Sequence, residues 1–153
     1  MNTDTAIEQL TLRSQAFEQN GDIPQQFTCD GEGINPSIDI ANIPEDTQSF
    51  ALIMEDPDAP DGVFTHWLVW DIPPGTQIAE NSNPGISGMN SSGKTGYHPP
   101  CPSYGRHRYY FKIYALDTAL DLNTGSDRTT LEYTMRDHII AQGELMGYYG
   151  EGQ

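Results

Sequence analysis

Short apolar runs, interrupted every few residues by glycine or proline, constrain the fold of this chain more than any other feature. The sequence contains 15 glycines and 11 prolines, which mark turns and strand ends rather than helix interiors. Between them, the apolar runs predict strands over Leu10–Phe17, Phe50–Glu55, Thr65–Ile72 and Arg108–Leu116. Many short strands separated by such turns are typical of an antiparallel β domain.

The last of these strands is expected to have one dry face and one wetter face. Successive side chains of a strand alternate between its two sides. Tyr109, Phe111 and Ile113 therefore share one side, while Tyr110 and Lys112 share the other. The first side is predicted to be packed in the core.

The C-terminal segment departs from the strand pattern. Asp127 or Thr129 is expected to cap a helix, and Glu132 stands three residues after Thr129, as in a capping box. Gly143 is expected to end or follow that helix, and a final strand is predicted over Glu144–Tyr149. The last four residues are expected to fray.

Length and charge limit the domain organisation and the partners. The 153 residues predict a single domain over 1–153, with its core at about 8–150. A net charge of -15 argues against binding to nucleic acid or to anionic lipid surfaces, and we interpret it as ordinary acidity rather than high-salt adaptation. Because no apolar run approaches the roughly 18 residues of a spanning helix, no integral membrane association is expected. The N-terminus lacks the apolar stretch of a signal peptide, so a cytoplasmic location is predicted.

The two cysteines, Cys29 and Cys101, lie far apart and form no CxxC pair. This spacing predicts neither a disulfide framework nor a four-ligand zinc site. Cys101 stands between two prolines, where a nucleophilic thiol with His107 as its base is conceivable. The favoured interpretation is a small residue fitted to a tight loop.

The segment Gly88–Thr95 (GMNSSGKT) matches the phosphate-binding pattern GxxxxGK[ST] at each fixed position. That loop holds phosphates only when it connects a strand to a helix. Here the sequence GYHPPCP follows, which cannot form a helix, and the preceding residues do not read as a strand. Nucleotide hydrolysis is therefore not predicted.

Three groups of polar residues are candidates for a site. Asp56 follows an apolar strand in the sequence DPDAP, where its carboxylate either points into a cavity or caps its own turn. His66 begins the next strand, as an anion donor, an acid or base, or a satisfied sheet residue. His107 and Tyr109, two residues apart on a strand, face the same side. These residue types would suit a metal, but the spacing is not diagnostic, so no metal and no cofactor is predicted.

Together, the segments FTCDGEGINPSI, ALIMEDPDAP, HWLVWDIP, GYHPPCPSYGRHRYYFKIYALD and ELMGYYG resemble the phosphatidylethanolamine-binding protein family. The similarity is greatest to its bacterial and archaeal Raf-kinase-inhibitor-like branch, and it spans Phe27 to Gly150. The resemblance implies a mainly β fold, in which a large antiparallel sheet packs on a smaller one with few short helices. It also implies a homodimer.

The resemblance further implies a cavity at one end of the main sheet that binds a small phosphate-type anion or a phospholipid headgroup. Carried onto this sequence, the ligand-binding residues are Asp56, Pro60, His66, Gly96, Pro100, Cys101, His107 and Tyr109. We expect a regulatory, non-catalytic protein in which Asp56 orients His66 or His107 and keeps it cationic. Two alternatives remain: a hydrolase or transferase of phosphate or acyl esters using His107 or Cys101, and a module that inhibits a kinase or protease.

Overall fold

The computed structural model describes residues 7–151, so the expectations for residues 1–6 and 152–153 fall outside the described chain. Within it are a short 3-10 helix at Gln25–Phe27 and one α-helix, α1, at Arg128–Met135. The ten strands within the same range are Glu8–Gln9 (β1), Thr11–Arg13 (β2), Gly21–Asp22 (β3), Ile38–Ala41 (β4), Ser49–Asp56 (β5), Phe64–Ile72 (β6), Gln77–Ile78 (β7), Ile86–Ser87 (β8), Arg106–Leu116 (β9) and Ile139–Gly150 (β10).

The strands form a large sheet and a small one, which confirms the predicted fold class. The large sheet has the order β1-β10-β9-β5-β6-β8, with β3 also paired to β10, and the small sheet has the order β2-β4-β7. All central pairs of the large sheet are antiparallel, whereas the two-residue strands β1 and β3 run parallel to β10. Within residues 7–151, no helix is long and apolar enough to cross a membrane.

Each face of the large sheet is covered by its own hydrophobic cluster. Phe50, Trp67 and Phe111 belong to the cluster that includes residues of the small sheet, and all are at most 1% exposed. Ile53 and Trp70 belong to the cluster on the opposite face, together with residues of α1. The predicted division of β9 into a dry and a wetter side is confirmed, since its odd-numbered residues from 109 to 115 are buried and residues 110, 112 and 114 are half-buried.

The predicted strand Leu10–Phe17 is wrong, because the chain changes sheets at Leu10. Its amide donates to the Gln142 carbonyl at 2.9 Å, which ties this point to the large sheet before β2 joins the small one. This crossing explains Gly143, which lies inside β10 rather than at a helix end. A Cβ atom at Gly143 would lie 2.5 Å from the Leu10 carbonyl oxygen, so only glycine allows the close approach.

The helix is shorter than predicted, since it ends at Met135 rather than near Gly143. Asp127 is its N-cap and accepts from the Thr130 amide at 2.9 Å, so the Thr129–Glu132 capping box is wrong. Glu132 instead accepts from Arg128, one turn earlier. Ile139 already belongs to β10, because pairing along β9 outcompetes further helix.

Candidate ligand-binding cavity

A cavity of about 180 Å³ lies where β5 ends and β6 and β9 begin. Six of the eight predicted site residues line it: Asp56, Pro60, His66, Cys101, His107 and Tyr109. The other lining residues are Ala59, Phe64, His98, Pro102 and Ser103. At about 30 Å³ for each water, the volume suits a compact group such as a phosphate or a small headgroup.

Asp56 uses its two carboxylate oxygens for different purposes. Oδ2 lies 2.6 Å from His107 Nδ1, and Oδ1 accepts from the Asp58 amide at 2.8 Å. Both interpretations of the DPDAP turn are thus present, since one oxygen caps the turn and the other reaches a cavity residue. Asp58 fixes the turn to β9 through Arg108, whose hydrogen bonds lower the pKa of Asp58 to about 2.

His107 lies between two hydrogen-bond acceptors. Its Nδ1 contacts the Asp56 carboxylate, and its Nε2 lies 3.0 Å from the Tyr104 carbonyl oxygen. Both ring nitrogens of His107 are therefore engaged by neighbouring oxygen atoms. Of the two histidines considered as partners of Asp56, His107 is the one in contact.

A β-bulge directs His66 toward the cavity. On β5, Met54 pairs with Trp67 and Glu55 pairs with Thr65, so His66 is the extra residue of β6. Strict alternation would have placed His66 on the opposite face, with Leu68. The bulge re-aims it, and its ring centroid lies 5.3 Å from that of Tyr109.

His66 is neutral at neutral pH, so the expectation of a cationic histidine is wrong for this residue. Burial lowers the pKa of His66 to about 4, although the hydrogen bond to His98 opposes the shift. Its Nδ1 lies 2.7 Å from the His98 carbonyl oxygen, which can only accept, so Nδ1 carries the ring proton. Nε2 consequently has a free lone pair and is an acceptor rather than the donor that an anion site suggests.

Tyr109 supplies a buried hydroxyl that has no hydrogen-bond partner among the described residues. The side chain is fully buried, lines the cavity and stacks near His107, with ring centroids 6.3 Å apart. Burial raises the pKa of Tyr109, and the charge and proximity of the Asp56 carboxylate raise it further, although the contact between the two groups does not reach hydrogen-bond geometry. The hydroxyl therefore keeps its proton and is an available donor in the cavity.

Cys101 forms a disulfide with Cys29, which corrects the sequence-based expectation of no disulfide. The 72-residue separation gave no spacing signal, and the fold alone brings the two loops together. A nucleophilic Cys101 is incompatible with this bond. Arg106 and Arg108, which could otherwise lower the pKa of a nearby thiol, are also occupied, since Arg106 pairs with Asp22 and Arg108 pairs with Asp58.

Gly96 and Pro100 do not line the cavity, but their carbonyl groups accept hydrogen bonds that hold the neighbouring loop in place. The Gly96 carbonyl accepts from the Asn90 side chain at 3.1 Å, and the Pro100 carbonyl accepts from the Cys29 amide at 3.1 Å. Gly96 has a φ of +101°, which favours glycine.

The segment that matches the phosphate-loop pattern folds as a closed turn. The Asn90 side-chain oxygen accepts from the amides of Ser92 and Lys94, and Met89 pairs with Thr95 across the turn. The two-residue strand β8 precedes the turn, contrary to expectation, but no helix occurs in residues 96–105. The helix N-terminus that a phosphate loop requires is therefore missing.

Sequence reasoning missed Phe64 and His98 as lining residues. Phe64 is two residues before His66, and their ring centroids lie 4.7 Å apart, so strand alternation pointed to it. His98 exchanges two bonds with His66, since its amide donates to the His66 carbonyl at 3.0 Å and its carbonyl holds the His66 ring. No local pattern identifies that pairing, because it joins a loop to a distant strand.

Comparison with known proteins places this geometry in a family. The family model described as phosphatidylethanolamine-binding protein matches residues 13–150. The chain belongs to the phosphatidylethanolamine-binding protein family.

Relatives in this family are similar over nearly the whole chain. A UPF0098 protein of Methanothermobacter thermautotrophicus is 40% identical, covering 94% of this chain and all of its own length. The crystal structure of CT736 from Chlamydia trachomatis, a phosphatidylethanolamine-binding protein homologue, is 40% identical with a TM-score of 0.90, covering 94% of this chain and 99% of that one. YbcL of E. coli, a member of the same family, is 27% identical with a TM-score of 0.83, covering 95% and 99%.

Proposed function

We propose that this protein binds a small phosphate-type anion, free or as the headgroup of a phospholipid, in the cavity at the end of β5. The observation that supports this most directly is the buried, unpaired Tyr109 hydroxyl beside the Asp56–His107 pair. Buried polar groups are nearly always hydrogen-bonded, so an unpaired donor lining a cavity suggests that a ligand supplies its partner.

The polar groups of the cavity fit a ligand that carries both an anionic oxygen and a proton donor. Tyr109 donates to the anionic oxygen. The free Nε2 of His66 accepts from a protonated phosphate oxygen or from an ammonium group. The Asp56 carboxylate is held by His107 at 2.6 Å, so one of its oxygens is already engaged before a ligand binds.

We propose binding without turnover. An enzyme using Cys101 needs a free thiol, and the disulfide removes it. An enzyme using His107 as a base needs a free ring nitrogen, and both nitrogens of that ring are hydrogen-bonded. A regulatory role fits such a site, and inhibition of a kinase or protease remains a prediction that needs a partner protein to test.

Titration calorimetry with phosphoethanolamine and with inorganic phosphate tests the proposal. Tyr109→Phe removes one hydrogen bond to a charged group and should weaken binding by about tenfold or more. Tyr114→Phe is the matched control, because it makes the same chemical change on the opposite face of β9. Equal affinities for the native protein and Tyr109→Phe would refute the proposed site.

Asp56→Asn tests the charge balance of the cavity. The amide retains the shape of the side chain but removes the negative charge facing His107. Between pH 5 and pH 8, the affinity of the variant for phosphate should therefore differ from that of the native protein. A variant whose affinity matches that of the native protein throughout this range would rule out a role for the Asp56 charge.

The cytoplasmic location and the homodimer remain predictions. The disulfide is relevant to the predicted cytoplasmic location, because disulfides persist in oxidising compartments. Most disulfides of cytosolic proteins instead respond to redox conditions. Light scattering of the purified protein tests the second.

A further inference from the structure

The disulfide fastens one wall of the cavity to a neighbouring loop. Cys101 lines the cavity, whereas Cys29 does not. Both residues are exposed to solvent, so a reductant in solution has access to the bond between them. The wall, defined here as residues 98–104, contributes His98, Cys101, Pro102 and Ser103 to the cavity lining.

Within the described residues 98–104, the wall forms no backbone hydrogen bonds between its own residues, so contacts with other segments hold its shape. Pro99, Pro100 and Pro102 have no amide proton, so they cannot donate backbone hydrogen bonds. Four hydrogen bonds hold it on either side of Cys101: His98 exchanges two with His66, the Cys29 amide donates to Pro100, and His107 contacts the Tyr104 carbonyl. Between these bonds, the disulfide is a covalent anchor.

The wall also separates the cavity from a second depression. Pro102 and Ser103 line both spaces, and Asp30 and Tyr149 lie on the far side. A displacement of this segment would therefore open the cavity to the second depression. It would also remove the Tyr104 carbonyl from His107, whose ring pairs with Asp56.

We propose that the Cys29–Cys101 disulfide is a thiol-exchange site, and that its reduction by a dithiol loosens the wall and weakens ligand binding in the cavity. The consequence for affinity rests on the proposed function, whereas the exchange and the loosening of the wall do not.

The exchange is balanced with a dithiol as the co-reactant. One thiolate of the dithiol attacks an exposed cysteine sulfur, the S–S bond breaks, and a mixed disulfide forms. The second thiol of the reductant attacks this intermediate and releases the protein thiol. The dithiol is oxidised to a disulfide, while Cys29 and Cys101 gain two electrons and two protons.

The first experiment treats the folded protein with graded dithiothreitol at pH 7 and counts thiols by alkylation and mass spectrometry. We expect two alkylated cysteines without denaturant. Hydrogen exchange of the Cys29 amide, which donates to Pro100, should become at least about tenfold faster in the reduced protein, while β9 keeps its protection. A disulfide that resists reduction until the protein unfolds, or a Cys29 amide whose exchange rate is unchanged, would overturn the proposal.

The second experiment measures phosphoethanolamine affinity in three samples: the oxidised protein, the reduced protein and the Cys29→Ser variant. Reduction and the substitution should each weaken binding by about tenfold, because both release the pre-organised wall. Dithiothreitol should leave the affinity of Cys29→Ser unchanged, which controls for effects of the reductant outside the disulfide.

The two experiments separate the possible failures. If the oxidised protein does not bind phosphoethanolamine or phosphate, the proposed function fails, and the first experiment still decides whether the wall is a thiol-exchange site. If the oxidised protein binds and reduction leaves the affinity unchanged, the coupling between disulfide and cavity is wrong while the proposed function stands.

Discussion

Glu55 and Asp56 are neighbours at the end of β5, yet they serve opposite faces of the sheet in different ways. Glu55 faces α1, where its carboxylate contacts Lys112 at 3.0 Å and Arg128 at 2.6 Å. Asp56 faces the cavity, where it meets His107. Both carboxylates are nearly buried, with side-chain exposures of 10% and 5%.

The two sites differ in how completely their polar groups are paired. Around Glu55, Arg128 also donates to Thr65 and Glu132, so it joins the sheet to the helix. Burial alone would raise the pKa of Glu55, but hydrogen bonds from Lys112 and Arg128 lower it below its ordinary value. Around Asp56, the Tyr109 hydroxyl remains unpaired within residues 7–151. The completed charge cluster fits a structural role, and the incomplete one supports the proposed ligand site.

The largest effect on stability should come from the cavity side, through the disulfide. Replacing Cys29 with Ser frees a loop spanning 72 residues and should lower the free energy of unfolding by about 4 kcal/mol. Urea denaturation of the native and variant proteins measures the difference, and reduction of the native protein should reproduce it. A loss below about 1 kcal/mol would show that the two loops are held together mainly by their other contacts.

On the helix side, Glu55→Gln should lower the free energy of unfolding by about 3 kcal/mol, because it leaves Lys112 and Arg128 facing a neutral group in a mostly buried site. Glu132→Gln is the control, since this partner of Arg128 is 49% exposed and exposed pairs contribute less than about 1 kcal/mol. Phosphate affinity should be unaffected by either change. Weaker phosphate binding by Glu55→Gln would contradict the division between a structural face and a ligand face.

The contrast between the faces also shows what the sequence made predictable. The long strands β5, β6 and β9 were identified to within two residues, because their apolar runs are continuous or alternating. Asp56, His107 and Tyr109 followed from strand ends and alternation together with the family resemblance. These features are local, so sequence patterns record them.

The parts that escaped prediction depend on contacts between distant segments. The bulge that turns His66 inward arises from its pairing with β5, and the His98 carbonyl that fixes the ring proton belongs to a loop 32 residues away. Burial by the assembled fold outweighs the effect of a nearby carboxylate, so His66 is not the histidine that Asp56 could keep cationic. The disulfide and Gly143 likewise depend on loops and strands that meet only after folding.

The next largest effect should be a pH dependence of the free energy of unfolding that arises from His66, on the cavity side. Since the pKa of His66 is about 4 in the folded protein and 6.5 ordinarily, the unfolded chain binds the proton more tightly. The contribution of neutral His66 to the free energy of unfolding is therefore fully present above pH 6.5, and it is lost as the pH falls toward 4.

When the pH falls from 7 to 4, the free energy of unfolding of the native protein should decrease by roughly 2 to 3 kcal/mol more than that of His66→Asn. The Asn side-chain amide can still donate to the His98 carbonyl. Urea denaturation at each pH measures this difference, in which the shared titration of carboxylates cancels. Parallel stability curves for the two proteins would mean that His66 titrates normally in the folded state.

The smallest effect should be the most informative about function. Tyr109→Phe removes a buried hydroxyl that has no partner, so without ligand the stability should be unchanged or higher by up to about 1 kcal/mol. Tyr97→Phe is the matched control, because its hydroxyl donates to the Phe27 carbonyl at 2.8 Å and its loss should cost about 1 kcal/mol. Thermal unfolding with and without phosphate measures both variants. If Tyr109→Phe is destabilised as much as Tyr97→Phe in the absence of ligand, the hydroxyl already has a structural partner, and the cavity side is as complete as the Glu55 side.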